Sequence, residues 1–406
     1  KRIDLLAQDG QWIEIAPSIS AKADLVIEEA NASWSPSVVD LRVHHTLPGG
    51  EFREDWSSLQ AAALKGGVLD MLLLPTGEPV VQTAESIQFI IQKGFHAMAP
   101  LTVDNKGENF AELLDLHQAG ASWFSHGSGS LQDTDLMLKC LQYLQPLPAK
   151  VISRPDVKGL SLFGQIHEGL QSTLLGLKGI PVLSESMSIQ RDLDLLRYVR
   201  ANAFGLAHAN FKLHFACIST AAGVGLIQAA KAEGLPVTAD VAVHQLIFTE
   251  DAISGFDTNK KVFPPFRASD DLEALWKGLE AGVIDAVVSD HHPVEFESKA
   301  LEFDHADFGT IGLETLFVAF VDAAANRGLK NSLDYISHKP ALLVGISLPI
   351  VELGAQVQGI VFQSGANQVY QISDIVGKSK NSCFLGETFR TQISHVIKGD
   401  QILYPG

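Results

Sequence analysis

The stretch VVDLRVHHTLPGGEFREDW, residues 38–56, decides how this chain is interpreted. It begins as an apolar strand and ends in a run of polar and histidine side chains. In a strand, residues i and i+2 point to the same side, so two histidines at that spacing can bind one metal ion. Here Arg42 takes the first of these two positions, and only the second, His44, is a histidine. A guanidinium stays protonated and cannot bind a metal cation, so the stretch predicts a metal-site architecture whose chemistry is partly lost.

Composition and charge exclude several classes of function. The 406 residues carry a formal net charge of −17, which argues against nucleic acid or an anionic membrane as the main partner. Cys140, Cys217 and Cys383 are far apart and form no C-x-x-C pair, so a reducing cytoplasm is the expected location. No run of 18 apolar residues and no signal segment is found, so we expect neither a membrane span nor secretion.

Short apolar strands recur along the chain, and most are followed by a helical stretch. Several are nearly continuous runs of Val, Ile and Leu, as is typical of strands buried on both faces. Glycine directly after a helical stretch marks its end, as at Gly66, Gly120, Gly234 and Gly282. Repeated strand–helix units imply right-handed crossovers and a parallel sheet, and eight units predict a (β/α)8 barrel of the TIM type. The predicted strands are Val38–Val43, Val68–Pro75, Phe95–Val103, Ala121–Ser125, Lys150–Arg154, His214–Ser219, Val237–Val243 and Ile284–Asp290.

The two ends of the chain lack this alternation. Residues 1–34 and 350–406 contain strand-like pieces separated by turn residues, among them Trp12–Ile15, Gly359–Gln363 and Thr391–Lys398. We therefore predict one small β-sandwich built from both termini and packed beside a barrel of residues 35–349.

The ends of the predicted strands carry the candidate functional residues, because the carboxyl ends of barrel strands form the active site in this architecture. These candidates are Arg42, His44, His45, Thr46, Ser125, His126, Arg154, Asp156, Cys217, Ser219, Asp290, His291 and His292.

Several motifs resemble those of the dihydroorotases, in the amidohydrolase superfamily, over nearly the whole chain. Besides residues 38–56, the resemblance rests on PVLSESMSIQRD (181–192), LHFACISTAAGVGLIQAAKAEGLPVTADVAVHQL (213–246), KVFPPFR (261–267), GVIDAVVSDHHP (282–293), FGTIGLETLF (308–317) and KSKNSCFLGETF (378–389). It implies a TIM-like barrel with a composite β-sandwich, often as a homodimer. It also implies a cyclic-amide hydrolase of pyrimidine biosynthesis that uses zinc, with the strand-eight aspartate moving the proton.

Compared position by position with this family, the chain lacks several of the expected metal-binding residues. The resemblance implies Asp290 as the retained catalytic aspartate and His44 as a retained metal ligand. The other family ligand positions fall on Arg42, His126, Arg154 and Cys217.

The substrate positions are changed as well. Thr46 stands where the family's arginine binds the substrate carboxylate, and a neutral hydroxyl cannot replace that cationic fork. Arg267 and His291 are the remaining candidates for substrate binding.

Our leading hypothesis is a catalytically inactive dihydroorotase-like protein, a pseudoenzyme without a cofactor. Arg42 and Arg154 would replace the metal by pairing with Asp290 or Asp156, since a buried carboxylate needs a counter-charge. The resemblance implies a structural or regulatory role beside aspartate carbamoyltransferase.

Two alternatives remain open at this stage. The first is an active dihydroorotase or related cyclic amidohydrolase with a reduced or rebuilt zinc site, for which His126, Cys217, Asp290 and His291 supply enough ligands. The second is a module that binds a small anion in the arginine-lined cavity, because a pair of guanidinium groups suits a carboxylate or a phosphate.

Overall fold

The structure is a computed structural model that describes residues 3–28 and 32–405. Sixteen strands are present in these residues: β1 Asp4–Gln8, β2 Gln11–Ala16, β3 Ala32–Ser35, β4 Val38–Val43, β5 Val68–Leu73, β6 His96–Pro100, β7 Trp123–Ser125, β8 Lys150–Ser153, β9 Ile166–His167, β10 Gly179–Ile180, β11 Lys212–Phe215, β12 Val237–Ala242, β13 Ala286–Val288, β14 Gln358–Val369, β15 Thr388–Lys398 and β16 Gln401–Pro405. The α-helices in the same residues are α1 Trp56–Lys65, α2 Ala84–Gln92, α3 Leu113–Gln118, α4 Thr134–Leu144, α5 Lys158–Ser161, α6 Leu170–Leu175, α7 Val182–Ala201, α8 Ala221–Ala232, α9 Ser269–Glu280, α10 Phe296–Lys299, α11 Leu316–Arg327 and α12 His338–Val344.

Eight parallel strands form the barrel, in the order β4, β5, β6, β7, β8, β11, β12 and β13. The first and last strands meet where the His44 N–H donates to the His291 carbonyl oxygen at 2.8 Å. The predicted (β/α)8 barrel is therefore confirmed, and β4 has the predicted bounds.

All of the barrel strands except β4 are shorter than predicted, and at two of them the backbone gives the reason. Cys217 has a φ of 52° and Asp290 a φ of 47°, a left-handed conformation that does not continue a β-ladder. The predicted strands His214–Ser219 and Ile284–Asp290 therefore shrink to β11 and β13, and the candidate residues lie on the turns that follow.

The termini form a separate sheet, as the sequence predicts. β3 from the N-terminal part pairs with β14, and β15 and β16 continue this antiparallel sheet. The β1–β2 hairpin lies beside it, with the ring of Trp12 edge-on to that of Trp34 at 5.2 Å. The domain limits at 34/35 and 349/350 remain a prediction.

Apolar side chains pack both outside and inside the barrel. The outer core joins the strands to the helices and includes Ile360 and Ile393 of the terminal sheet. The inner core fills the barrel with side chains such as Leu41 and Trp123, and Ala341 of α12 packs against it. Polar strand-end residues therefore lie above a packed apolar layer, at the open end of the barrel.

We expect two glycine substitutions to have opposite effects on stability. A β-carbon at Gly66 would overlap the backbone carbonyl of Leu313, so Gly66→Ala should destabilise the fold by about 1–3 kcal/mol. Gly225 lies exposed in α8 with open space around it, so Gly225→Ala should stabilise by about 0.5–1 kcal/mol. Urea unfolding of both variants checks this, and a stable Gly66→Ala protein would contradict the close packing of α1 on the loop before α11.

Candidate active site at the barrel mouth

A buried carboxylate, Asp290, lies at the centre of the barrel mouth. The Nε of Arg42 donates to its Oδ1 at 2.8 Å, and the Nε2 of His44 lies 3.5 Å from the same oxygen. A guanidinium nitrogen of Arg154 lies 3.8 Å from Oδ2. Burial alone would raise the pKa of Asp290, but the contact with His44 and the two arginine charges outweigh it and hold this pKa well below its usual range. The carboxylate is therefore ionised and held by two cations.

Arg154, at the end of β8, ties two loops together across the barrel mouth. Its guanidinium donates to the carbonyl oxygens of Ser128 and Phe263 and stacks over the Phe263 ring at 4.9 Å. Asp156, the other carboxylate expected to pair with the arginines, instead accepts hydrogen bonds from Ser161 and Ser184 at 2.8 and 2.7 Å. Both arginines thus contact Asp290, one of the two partners that the sequence suggested.

The histidines nearest to Asp290 are held neutral. His44 stacks on His292 with ring centroids 4.1 Å apart and an angle of 2° between the planes. Burial lowers the pKa of His44 to about 4, and the charge of Arg42 adds to this effect. Burial also lowers the pKa of His292. Near neutral pH the stacked pair therefore carries no charge to compete with the arginines.

His291 follows Asp290 in the sequence but faces another partner. Its Nε2 lies 2.6 Å from Oε2 of the buried Glu54, and its Nδ1 accepts the N–H of Gly312 at 3.3 Å. Both ring nitrogens are occupied, so His291 anchors the loop of Glu54 to the end of β13.

Three further candidates have hydrogen-bond partners other than Asp290. Burial raises the pKa of the Cys217 thiol, and its backbone N–H donates to Asp240 Oδ1 at 2.6 Å. His126 contacts the Thr102 hydroxyl through Nδ1 at 3.2 Å. The buried Arg267 donates to the Ser219 hydroxyl at 3.0 Å and to the Ile180 carbonyl at 2.9 Å, and it lines neither of the cavities described below.

Two polar cavities open at the barrel mouth. The first has a volume of about 200 Å³ and is lined by His44, His45, Arg53 and His292, among others. The second, about 660 Å³, lies over the loops after β5 to β8 and includes His126 and Asp156 in its wall. Thr76, Gly77 and Ser128 line both, so the two cavities adjoin.

His244 is a buried site residue that the sequence analysis missed. It lies on the turn Val243–Leu246 directly after β12, where the position at a strand end could have indicated it. Both its ring nitrogens lack a hydrogen-bond partner in the described residues, and burial lowers its pKa to about 4. Its nearest aromatic contact is Phe266, edge-on at 5.8 Å.

The donor set does not fit a zinc ion. Within residues 3–28 and 32–405, no three His, Cys, Asp or Glu side chains converge so that they could hold a metal. His44 and Asp290 are close together, but the guanidinium of Arg42 already bonds the carboxylate and would repel a cation.

A double-mutant cycle should show that Arg42 and Asp290 stabilise each other. Arg42→Met leaves a buried carboxylate with weaker partners and should cost about 3–5 kcal/mol of unfolding free energy. Adding Asp290→Asn should recover much of that loss. The coupling energy between Arg42 and Asp290 should then lie in the upper part of the range of about 0.5–3 kcal/mol that is typical of residues in contact. The control is the exposed helical pair Asp135–Lys139, whose coupling should be much weaker because solvent screens it. Equal coupling in the two pairs would contradict the assignment.

Acid should destabilise the protein partly through His244. Its folded pKa is about 4, below the ordinary value of 6.5, so the unfolded chain binds more protons between these values. The stability gained from a neutral His244 is complete above about pH 7 and is lost as the pH falls towards 4. When the pH falls from 7 to 5.5, the unfolding free energy of the wild type decreases. In His244→Gln this decrease should be smaller by about 1 kcal/mol. His305→Gln, at a mostly exposed residue, should follow the wild-type pH dependence, and identical curves for all three proteins would refute the prediction.

No helix in the described part of the chain is long and apolar enough to cross a membrane.

Solved structures confirm the fold: the L-hydantoinase of Arthrobacter aurescens superposes with a TM-score of 0.82 at 21% identity, covering 99% of this chain and 92% of that one. A D-hydantoinase structure gives a TM-score of 0.80 at 17% identity, covering 99% and 91%. These likenesses support the barrel and its separate sheet.

Sequence comparison shows the family. The family model described as dihydro-orotase-like matches residues 34–212. A protein named dihydroorotase from Ruminiclostridium cellulolyticum is 33% identical, with 98% of this chain and 92% of that protein aligned. Another of the same name from Carboxydothermus hydrogenoformans is also 33% identical, over 96% of this chain and 90% of its own length. With full-length similarity added to the barrel and its strand-end residues, the chain belongs to the dihydroorotase-like family of amidohydrolases.

Proposed function

We propose that this protein is a dihydroorotase-like scaffold of pyrimidine biosynthesis that lacks metal-dependent hydrolysis. The observation that supports it is the bond from the Nε of Arg42 to Asp290 Oδ1 at 2.8 Å in a fully buried site. That bond gives the carboxylate the positive partner that a metal would otherwise supply. Among the described residues, no three His, Cys, Asp or Glu side chains converge to form a ligand set around it.

Asp290 is also poorly suited to proton transfer. A general base works best when its pKa lies near the operating pH, whereas the pKa of Asp290 lies well below its usual range. The two arginines favour the ionised form of the carboxylate, and they would disfavour a proton on it during a reaction.

The substrate positions are occupied by contacts within the protein. The Thr46 hydroxyl donates to the carbonyl oxygens of Gly50 and Glu54 at 2.7 and 3.0 Å. Thr76, which lines both cavities, donates to the His45 carbonyl at 2.7 Å. Both hydroxyls therefore stabilise the loops instead of presenting a cation to a substrate carboxylate.

We further propose aspartate carbamoyltransferase as the partner, a role that the dihydroorotase family implies for inactive members. The segment between β8 and α7 supplies exposed apolar side chains suited to a protein contact. Leu170 and Leu174, each 67% exposed, lie one turn apart on α6, and Leu183 and Met187 repeat this spacing on α7. The homodimer remains a prediction.

The turnover test uses dihydroorotate and N-carbamoyl-aspartate with added zinc or manganese. We expect no turnover in either direction. Arg42→His alone should not create it, because Arg154, Cys217 and Thr46 would still differ from the family pattern. Turnover by the wild type that disappears in Asp290→Ala would overturn the proposal.

The partner test is copurification with the aspartate carbamoyltransferase of the same organism. We expect a complex whose assembly or transferase activity depends on this chain. Leu170→Glu together with Leu174→Glu should weaken it, while Leu342→Glu, the same kind of substitution at an exposed leucine of α12, should not. Independent behaviour of the two proteins would count against the partnership.

The second candidate function is an active cyclic amidohydrolase with a rebuilt metal site. It is favoured by the 33% identity, over almost the full length, to a protein named dihydroorotase. The turnover test separates the two candidates directly.

A further inference from the structure

The guanidinium of Arg42 uses only part of its hydrogen-bonding capacity. Its Nε donates to Asp290, but Nη1 and Nη2 have no hydrogen-bond partner among the described residues, although the side chain is only 1% exposed. A guanidinium carries five N–H donors, so four of them are unused here. Buried donors on a charged group destabilise a protein by about 1–3 kcal/mol or more when they are unsatisfied. A ligand that accepts hydrogen bonds from this edge of Arg42 would remove that cost.

Other unpartnered polar atoms occur at the ends of other barrel strands. Within residues 3–28 and 32–405, they include Arg154 Nε after β8, Ser125 Oγ at the end of β7 and both ring nitrogens of His244 after β12. Buried polar groups are satisfied in the great majority of cases, so a set of them around one barrel mouth indicates a binding site.

The charges and donors favour an anionic occupant. Arg42 and Arg154 both contact the single carboxylate of Asp290. The next carboxylate inside the barrel, Asp240, is already engaged by His214 at 2.8 Å and by the N–H of Cys217 at 2.6 Å. The unused groups on the arginines are donors only, so their partner must be an acceptor.

We propose that the free edge of Arg42 binds a small planar oxyanion of the carboxylate or bicarbonate class. The two Nη groups present parallel N–H bonds, which match two oxygens of such an ion in the bidentate arrangement. The burial of Arg42 favours an ion as small as formate or bicarbonate. His44, whose Nε2 lies 3.5 Å from Asp290 Oδ1, lines the cavity of about 200 Å³, although Arg42 itself does not line it. This inference rests on the proposed function, because a metal bound at Asp290 would displace Arg42.

The test titrates the metal-free full-length protein with formate and with bicarbonate at constant ionic strength, with chloride as the control anion. Calorimetry and the NMR signal of ¹³C-formate should show saturable one-to-one binding in the millimolar range or tighter. The melting temperature should rise with formate, because the ligand binds only the folded state. Arg42→Lys keeps the positive charge but loses the two parallel N–H donors of the guanidinium. This substitution should therefore weaken binding at least tenfold. Arg197→Lys, on the surface, is the matched control and should bind as the wild type does.

Three results would overturn the inference. These are the absence of saturable formate or bicarbonate binding to folded wild type, unchanged binding in Arg42→Lys, and equal binding of chloride. Metal analysis of the same preparation separates this failure from that of the proposed function. Stoichiometric zinc with turnover would reject the metal-free scaffold, whereas a metal-free protein without anion binding would reject only the oxyanion site.

Discussion

The ion pair between Arg42 and Asp290 joins the two strands at which the barrel closes. Arg42 lies on β4, the first strand, and Asp290 lies two residues after the end of β13, the last. Two other bonds cross the same seam: the Ser289 N–H donates to Asp40 Oδ1 at 3.2 Å, and the His44 N–H donates to the His291 carbonyl. A guanidinium is charged at every pH that the folded protein meets, so this closure does not depend on a bound cation. The pair is therefore part of the architecture as well as of the site.

The surroundings of the pair suit a fixed cation better than a metal ion. Zinc prefers neutral imidazoles and thiolates that converge on one point. Here burial keeps the imidazole of His44 neutral, but it also keeps Cys217 protonated, and His291 is bonded to Glu54. Arg154 adds a second positive charge while its other donors hold the loops of Ser128 and Phe263. Electrostatics and loop anchoring therefore act in the same direction, against a cation and in favour of anionic groups.

Much of the fold could be predicted from the sequence, because buried parallel strands produce continuous apolar runs. β4 was predicted with the bounds Val38–Val43 although it also carries Asp40 and Arg42, and the pairing of the two termini was anticipated from strand-like pieces such as Gly359–Gln363. The site was harder to predict. The positions of Arg42 and Asp290 at strand ends indicated that they belong to the site. No periodicity in the sequence shows which carboxylate an arginine will pair with, or that Arg154 will donate to two distant carbonyl groups. His244 was missed because the turn after β12 carries no spacing signal, and its importance comes only from the burial of its ring nitrogens.

Two left-handed residues at the barrel mouth are held in place by contacts within the protein. Asp290 and Cys217 both have positive φ, which is unfavourable for a side chain with a β-carbon and persists only where neighbouring contacts enforce it. At Cys217 the enforcing contact is its N–H bond to Asp240, which His214 holds in turn. At Asp290 it is the guanidinium of Arg42. Each of these contacts is made by the protein itself. The turns that direct residues into the barrel mouth are thus fixed by internal bonds, and at Asp290 that bond is made by Arg42 itself.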